Sequence, residues 1–263
     1  MPDEKAAVIP VPAATILMLR DVADGMEVFM VKRHHQIDFV AGALVFPGGK
    51  VARGDFDEGL AEFVVGAEAW SPEMRAIGAA AVREAFEESG ILLARDADTG
   101  EIVSEARLAA LDRCRAAVEK RELSLLDLLR NERLTLAYDA LVHFAHWITP
   151  NNMPKRFDTH FFLARAPVGH AGIHDGHESV DSVWIRPQEA IADRKKWNVI
   201  FPTKLNLMKL AQSANVTEAL DKARATLPLT VEPWVEERAE GSFLCIRQDA
   251  GYEQTSANLR DAF

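Results

Sequence analysis

Hydrophobic residues near the N-terminus occur in short runs that are typical of buried strands. Residues 15–20 (TILMLR) form an apolar run without helical spacing, and a second run follows at residues 26–32 (MEVFMVK). Asp24-Gly25 lies between them, and this dipeptide favours a tight hairpin turn. The pattern therefore predicts an antiparallel pair of strands. Later runs predict further strands at residues 43–46, 141–148, 157–164 and 182–185.

A long helix is predicted from residue 72 to about residue 89. Ser71 is a good N-cap, Pro72 suits the first helical position, and Gly90 suits the position after the last turn. The face of this helix that we expect to pack on the sheet contains Ala79, Val82 and Phe86. Further helices are predicted at residues 105–120, 124–130, 187–193, 203–213 and 217–227.

The order of these elements indicates the fold class. Strands and helices are mixed along the chain without a regular βαβ rhythm. This arrangement favours an α/β or α+β domain built around a mixed sheet. A length of 263 residues suits one large domain, or one domain with a sizeable insert.

Composition and charge exclude several classes of protein. The formal net charge of −10 argues against a general nucleic-acid-binding protein, which usually presents a basic surface. The sequence has no run of roughly 18 apolar residues and begins without the pattern of a secretory signal. Its cysteines, Cys114 and Cys245, do not imply a disulfide framework. We therefore expect a cytoplasmic protein without nucleic-acid or membrane partners.

The end of the long helix carries the clearest chemical signal. Glu84, Glu87 and Glu88 are spaced i, i+3 and i+4, which places them on one helical face. Three neighbouring carboxylates repel one another, and a hard cation such as Mg²⁺ or Mn²⁺ would remove that cost. An isolated acidic string is more often a solvated surface. Here, however, a glycine-rich bend at residues 46–50 (FPGGK) precedes it, and such a backbone can approach a metal or phosphate closely.

Together these two segments resemble the Nudix box. Gly49 and the acidic residue Asp55 are separated by five residues, and residues 83–91 (REAFEESGI) match the second half of the box without a mismatch. The family has Glu where this chain has Asp55. Between this acidic residue and the arginine of the second half, the family has seven residues. This chain has 27 residues there (positions 56–82), an insert of 20 residues.

An interrupted box of this kind resembles the branch of peroxisomal coenzyme A diphosphatase-like Nudix proteins and their bacterial relatives. The strings at residues 147–150 (WITP) and 156–163 (RFDTHFFL) support that branch. The resemblance covers about residues 12–213 of a single domain, 1–263. Within this domain we expect an insert in the box at about 56–75, a helical insert at about 105–130, and a C-terminal extension at about 214–263.

The resemblance implies an α/β/α sandwich with a mixed sheet, a helical insert and a bound Mg²⁺ or Mn²⁺. The implied metal ligands are Glu84, Glu87, Glu88 and a backbone carbonyl of the bend, that of Gly49 or its neighbour. The general base in this family is either the first glutamate of the box or a carboxylate from a distal loop, here Glu178. Arg83 is expected to orient the cluster through an ion pair, with Asp55 as its partner.

Basic residues elsewhere are candidates for contacting phosphates. Arg33, Lys50 and Arg156 are the predicted substrate-binding residues, and the plain alternative for each is a surface position. Histidines give a weaker signal. His143, His146 and His160 lie on predicted strands, where single histidines are more often packed residues than metal ligands.

The predicted function is hydrolysis of the diphosphate bond in a nucleoside diphosphate derivative. The branch favours coenzyme A or acyl-coenzyme A as the substrate, with 3′,5′-ADP and a 4′-phosphopantetheine as products. Alternatives within the family are ADP-ribose, dinucleoside polyphosphates or oxidised nucleoside triphosphates, or a catalytically weak domain that binds a nucleotide as a regulator. A non-enzymatic helical scaffold is a further alternative, and the leucine-rich region is a candidate lid or homodimer surface.

Overall fold

The computed structural model describes residues 8–33, 42–176, 179–193 and 196–262. Its strands are β1 (Val11–Val22), β2 (Gly25–Arg33), β3 (Leu44–Val45), β4 (Gly48–Lys50), β5 (Val64–Val65), β6 (Ala94–Asp96), β7 (Leu134–Ala137), β8 (Val142–Ile148), β9 (Phe157–Arg165), β10 (Ser179–Ile185), β11 (Thr230–Val231), β12 (Trp234–Arg238), β13 (Gly241–Cys245) and β14 (Ser256–Asn258). Its α-helices are α1 (Pro72–Ser89), α2 (Glu105–Ala110), α3 (Asp112–Glu119), α4 (Leu125–Glu132), α5 (Pro187–Ala192), α6 (Phe201–Leu210) and α7 (Val216–Arg224).

The main sheet is mixed. Its strands follow the order β10-β2-β1-β9-β8-β11, with the short strands β3 and β4 paired to β2 and β1. The pairs β1–β9 and β8–β11 are parallel, whereas the other pairs in this sheet are antiparallel. The predicted hairpin is confirmed, because Asp21 pairs with Met26 and Val22 with Gly25.

Helices cover both faces of this sheet. Alternate residues of β1 point to opposite sides, since side chains alternate along a strand. Ile16 and Met18 enter one core together with α1, and Leu17 and Leu19 enter a second core together with α6 and α7. The predicted packing face of α1 is buried, with Ala79, Val82 and Phe86 at most 1% exposed. The predicted α/β/α sandwich is therefore confirmed.

The segment between α1 and β8 contains the clearest differences from the sequence prediction. The helix expected over residues 105–120 is interrupted at the fully buried Leu111, so that α2 and α3 are separate helices. The strands β6 and β7 of this segment form, with β5 from before α1, a small sheet that was not predicted. These strands have two to four residues each, too few to show a strand period.

Residues after 213 complete the second core. The buried face of α7, which includes Val216 and Leu220, packs in that core, and β11 extends the sheet beside β8. Trp147 donates a hydrogen bond from Nε1 to the hydroxyl of Tyr252 (2.9 Å), which in turn donates to Oδ1 of Asn206 (2.7 Å). These two buried hydrogen bonds connect the C-terminal segment to β8 and α6. Among the described residues, no helix combines the length and apolar character needed to cross a bilayer.

Candidate active site

Local capping places the end of α1 at the site. The hydroxyl of Ser71 accepts a hydrogen bond from the amide of Met74, and Pro72 begins the helix. Gly90 adopts φ = 69°, and its amide donates to the carbonyl of Phe86. Few residues other than glycine adopt this conformation easily, so the chain leaves the helix there. The bounds predicted from the sequence are confirmed.

The last turns of α1 face the glycine bend at β4. The amide of Gly48 donates a hydrogen bond to Oε2 of Glu88 (3.0 Å). A Cβ added to Gly49 would lie 2.4 Å from Oε1 of Glu84, so this glycine permits the backbone to approach the carboxylate. The structure thus brings together the two segments that the sequence separates by the insert.

Arg83 connects the carboxylates to one another. Its Nη1 donates to Oε1 of Glu84 (2.7 Å) and to Oε2 of Glu87 (3.1 Å). The side chains of Glu84 and Glu87 are 14% and 15% exposed, and that of Arg83 is 12% exposed. Because these groups are mostly shielded from water, each charge interacts more strongly with its neighbours than on an open surface.

Asp55 completes the other side of this network. Its carboxylate accepts two hydrogen bonds from Arg83, from Nε to Oδ1 and from Nη2 to Oδ2, each 2.9 Å long. Oδ2 also accepts from the amide of Ala52 (2.8 Å). Arg83 donates further to the carbonyl of Lys50. The predicted pairing of Arg83 with Asp55 therefore forms despite the shorter side chain and the long insert.

The carboxylates resist full ionisation in this arrangement. Burial raises the pKa of Glu84 to about 7, even though the charge of Arg83 opposes this shift. Burial also raises the pKa of Glu87, against the opposing effect of Arg83. A site with such clustered oxygen ligands fits a hard divalent cation, which would favour the ionised forms. Glu84, Glu87 and Glu88 would be its side-chain ligands, and some of these oxygens now pair with Nη1 of Arg83.

The carboxylates line a cavity of about 580 Å³ that also contains basic side chains. Arg33 and Lys50, both predicted, line it together with Arg53 and Arg121, which sequence reasoning missed. Arg121 follows α3 and has φ = 60°. Arg121 lies far from the box in the sequence, so no motif indicated that it belongs to the site. Asp175, also missed, lines the same cavity.

A second cavity, of about 460 Å³, adjoins the first. Both are lined by Thr15, Arg33, Gly48, Phe157 and Thr159. The walls of the second cavity are mainly apolar and include Trp147, Met153, Pro202 and Leu244. A polar cleft with carboxylates therefore continues into an apolar chamber.

Two of the predicted site residues, Arg33 and Arg156, have different surroundings. Arg33 borders both cavities, and its buried Nε has no hydrogen-bond partner among the residues that the structure describes. Arg156 is 8% exposed and donates to the carbonyls of Thr149 and Val8 and to Glu232. These contacts favour a structural role for Arg156 over a substrate contact. Glu178 lies outside the described residues.

Comparison with known proteins identifies the class. Residues 66–205, a little over half of the chain, match the family model described as the NUDT19 Nudix domain. The chain therefore belongs to this Nudix family. The matched segment contains α1 and all three glutamates of the box.

Individual relatives are more distant. The chain is 26% identical over 233 residues to the acyl-coenzyme A diphosphatase NUDT19 of Xenopus laevis, covering 73% of this chain and 61% of the relative. It is 30% identical over 189 residues to the putative nudix hydrolase 7 of Caenorhabditis elegans, covering 70% and 56%. The chain thus spans less than two thirds of these curated relatives. A crystal structure of a NUDIX hydrolase from Alicyclobacillus acidocaldarius has a TM-score of 0.68 and 25% identity, covering 84% of this chain and 98% of that one.

Proposed function

We propose that this chain is a metal-dependent hydrolase that cuts the diphosphate bond of coenzyme A or acyl-coenzyme A. The products would be 3′,5′-ADP and 4′-phosphopantetheine or its acylated form. Membership of the Nudix family supports the reaction class, and the likeness to an acyl-coenzyme A diphosphatase supports the substrate. The preferred ion is Mg²⁺ or Mn²⁺, because the candidate ligands are carboxylate oxygens.

The observation that carries the substrate proposal is the continuity of the two cavities. A coenzyme A molecule has a charged diphosphate and nucleotide at one end and a long, less polar pantetheine arm at the other. The carboxylate cleft with its arginines suits the diphosphate, and the adjoining chamber beside Trp147 and Met153 suits the arm. ADP-ribose has no such arm and would leave this chamber unfilled.

The residues of the site would have separate roles in hydrolysis. A bound divalent ion would neutralise the diphosphate and lower the pKa of a bound water. Glu87 and Glu88 would hold the main ion, and Glu84 would be a further ligand or would accept the proton of the attacking water. Glu178 is the other candidate for this base. Arg83 would orient the cluster, and Arg33, which lines both cavities, would place its positive charge near the phosphates.

A substrate panel tests the proposal directly. The purified chain would be incubated with coenzyme A, acyl-coenzyme A, ADP-ribose and dinucleoside polyphosphates, with Mg²⁺ or Mn²⁺, and the products separated by chromatography. We expect 3′,5′-ADP to be released from coenzyme A substrates faster than AMP from ADP-ribose. Faster cleavage of ADP-ribose would overturn the substrate assignment. Nucleotide binding without turnover of any compound would instead indicate a regulator.

Two glutamates of α1 provide a matched pair for the metal site. Glu87→Gln should lower activity by more than the roughly 100-fold that loss of a supporting residue costs at metal sites. Glu73→Gln, a substitution of the same type on the exposed first turn, should leave activity unchanged. Equal activities for the two variants would contradict a catalytic role for the box.

The apolar chamber has its own pair of variants. Met153→Asp places a charge on the chamber wall, whereas Asn152→Asp places one on the exposed neighbouring position. We expect Met153→Asp to lower kcat/KM for acyl-coenzyme A at least about tenfold relative to ADP-ribose, since burying an unpaired charge is costly. Asn152→Asp should preserve the ratio. A ratio unchanged in both variants would remove the chamber from the substrate site.

A further inference from the structure

A second group of candidate metal ligands lies on β8 and β9. His146 of β8 stands directly opposite His160 of β9 in the antiparallel register, and Asp158 lies two residues before His160. Residues two apart on a strand share one face. One ligand atom from each of these three residues lies within 4.8 Å of the other two. The group therefore results from strand pairing and was not apparent in the sequence.

The contacts within the group indicate which atoms would coordinate an ion. Nε2 of His146 contacts Oδ1 of Asp158, and Nε2 of His160 is 3.9 Å from the same oxygen. The two imidazole rings are stacked with their centroids 4.0 Å apart. Two imidazole nitrogens and one carboxylate oxygen thus lie within 4.8 Å of one another, and one ring would turn out of the stack on binding, because imidazole lone pairs lie in the ring plane. Zn²⁺ accepts this combination of ligands and leaves a fourth position for water.

The remaining ring nitrogens have partners of their own. Nδ1 of His146 is 2.8 Å from the hydroxyl of Thr230, and Nδ1 of His160 is 3.1 Å from Nε2 of His143. Ligand histidines in metal sites almost always use the second nitrogen in a hydrogen bond, which fixes the ring orientation. Both histidines of this group therefore have the supporting contacts that a metal site requires.

Two strand spacings separate this group from the carboxylate site. Ala14 of β1 pairs with Gly49, which lies beside Glu84, on one side and with His160 on the other, so the group lies on the same face of the sheet as the glutamates, roughly 10 Å along it. None of His146, Asp158 and His160 lines either cavity. The side chains of Asp158, His146 and His160 are 35%, 16% and 12% exposed, which leaves a path from solvent.

We propose that His146, Asp158 and His160 form a zinc site that joins β8 and β9 to the C-terminal strand β11. Thr230, the partner of His146, lies on β11 and pairs with the same residue through the backbone register. An ion bound only by the folded chain raises its stability by mass action. The site would take a nitrogen-preferring ion, whereas the carboxylates of α1 would take an oxygen-preferring one.

Zinc titration of the full chain tests this proposal. Metal would be removed with a chelator, and Zn²⁺ titrated against a chromophoric competitor in excess Mg²⁺, which occupies sites made of oxygen ligands. We expect one Zn²⁺ per chain and a rise in Tm for the unsubstituted protein and for Glu87→Gln. Failure of the unsubstituted protein to bind Zn²⁺, or loss of binding in Glu87→Gln, would overturn the proposal.

Substitutions in the group distinguish it from other histidines. His146→Gln and His160→Gln should each lower zinc affinity at least about 100-fold, and Thr230→Val about 10- to 100-fold. His174→Gln, which removes a histidine bonded to Ser182, is the control and should bind zinc normally. Unchanged affinity in both His146→Gln and His160→Gln would contradict the assignment.

A third measurement keeps the test decisive if a histidine variant does not fold. Asp158→Asn is nearly isosteric and lies at a partly exposed position, so we expect it to fold and still lose zinc affinity. Co²⁺ added to the unsubstituted protein should give the intense visible absorption of a tetrahedral complex. That absorption should disappear in Asp158→Asn. Its persistence there would place the ion elsewhere.

Discussion

Arg83 and Asp55 form a two-point ion pair across the interrupted box, with Nε–Oδ1 and Nη2–Oδ2 distances of 2.9 Å each. The pair is shielded, because the side chains are 12% and 1% exposed. Since the same guanidinium also contacts Glu84 and Glu87, the orientation of these carboxylates depends on a residue before the insert. The insert therefore lengthens the connection without separating the two halves of the site.

Asp55→Ala should destabilise the fold strongly. Removing Asp55 takes two charge-assisted hydrogen bonds from Arg83, which is left with Glu84, Glu87 and the carbonyl of Lys50 as partners, and bonds to charged groups contribute about 1.5–3 kcal/mol each. The free energy of unfolding from urea denaturation measures this loss. Glu58→Ala, at an exposed position of the same segment, is the control and should change stability by less than about 0.5 kcal/mol. Similar stabilities for the two variants would show that the pair contributes little.

Gly49→Ala should impair metal binding more than folding. The added Cβ would meet the carboxylate of Glu84 at 2.4 Å, and that carboxylate is the end of a flexible side chain that can move away. We expect at least about tenfold weaker Mn²⁺ binding by calorimetry, as for the loss of a supporting contact in a metal site. Gly54→Ala introduces a Cβ with no atom within 4 Å and should bind Mn²⁺ normally. Normal binding by Gly49→Ala would exclude this close approach as a functional requirement.

The metal-free protein should lose stability as the pH rises. Burial raises the pKa of Glu84 from its ordinary value of 4.5 to about 7, so the folded state favours the protonated form. This contribution is fully present below pH 4.5 and is lost as the pH rises through about 7. It amounts to on the order of 3 kcal/mol, and the raised pKa of Glu87 acts in the same direction.

Unfolding at several pH values in EDTA measures this effect. Glu84→Gln cannot ionise, so its free energy of unfolding should depend less on pH between 5 and 8 than that of the unsubstituted protein. Mg²⁺ should also reduce the dependence, since it favours the ionised carboxylate. The exposed Glu73→Gln serves as the control and should retain the full dependence. The same slope in Glu84→Gln as in Glu73→Gln would assign the effect to another group.

Arg115→Met should loosen the contact between the helical insert and α1. Arg115 donates from Nε to the carbonyl of Glu87 (2.9 Å) and from Nη2 to that of Ile173 (2.8 Å). Loss of these bonds leaves the carbonyls without this donor at a partly buried site, at a cost of about 1–3 kcal/mol. Urea denaturation would measure it.

Arg113 on the same helix provides the comparison. Its side chain is 73% exposed and pairs with Glu132 at 3.1 Å. Exposed ion pairs contribute about 0–1 kcal/mol, so Arg113→Met should have a small effect. If Arg113→Met were as destabilising as Arg115→Met, the loss of a positive charge on α3, and not the loss of the contact to α1, would explain both results.

The sequence by itself determined the features that depend on neighbouring residues. Ser71, Pro72 and Gly90 specified the bounds of α1, because caps act through backbone bonds within a few residues. The helical period then placed Glu84 and Glu87 on one side and the apolar residues on the other. The Asp24-Gly25 turn and the adjoining apolar runs specified the first hairpin for the same reason.

Only the tertiary structure decided which distant side chains meet. Arg33 and Arg156 are similar candidates in the sequence, yet one borders the cavities and the other bonds backbone carbonyls and Glu232. The His146–His160 contact depends on the register of two strands. Strand pairing and loop closure join residues far apart in the chain, and no local period records which partners they bring together.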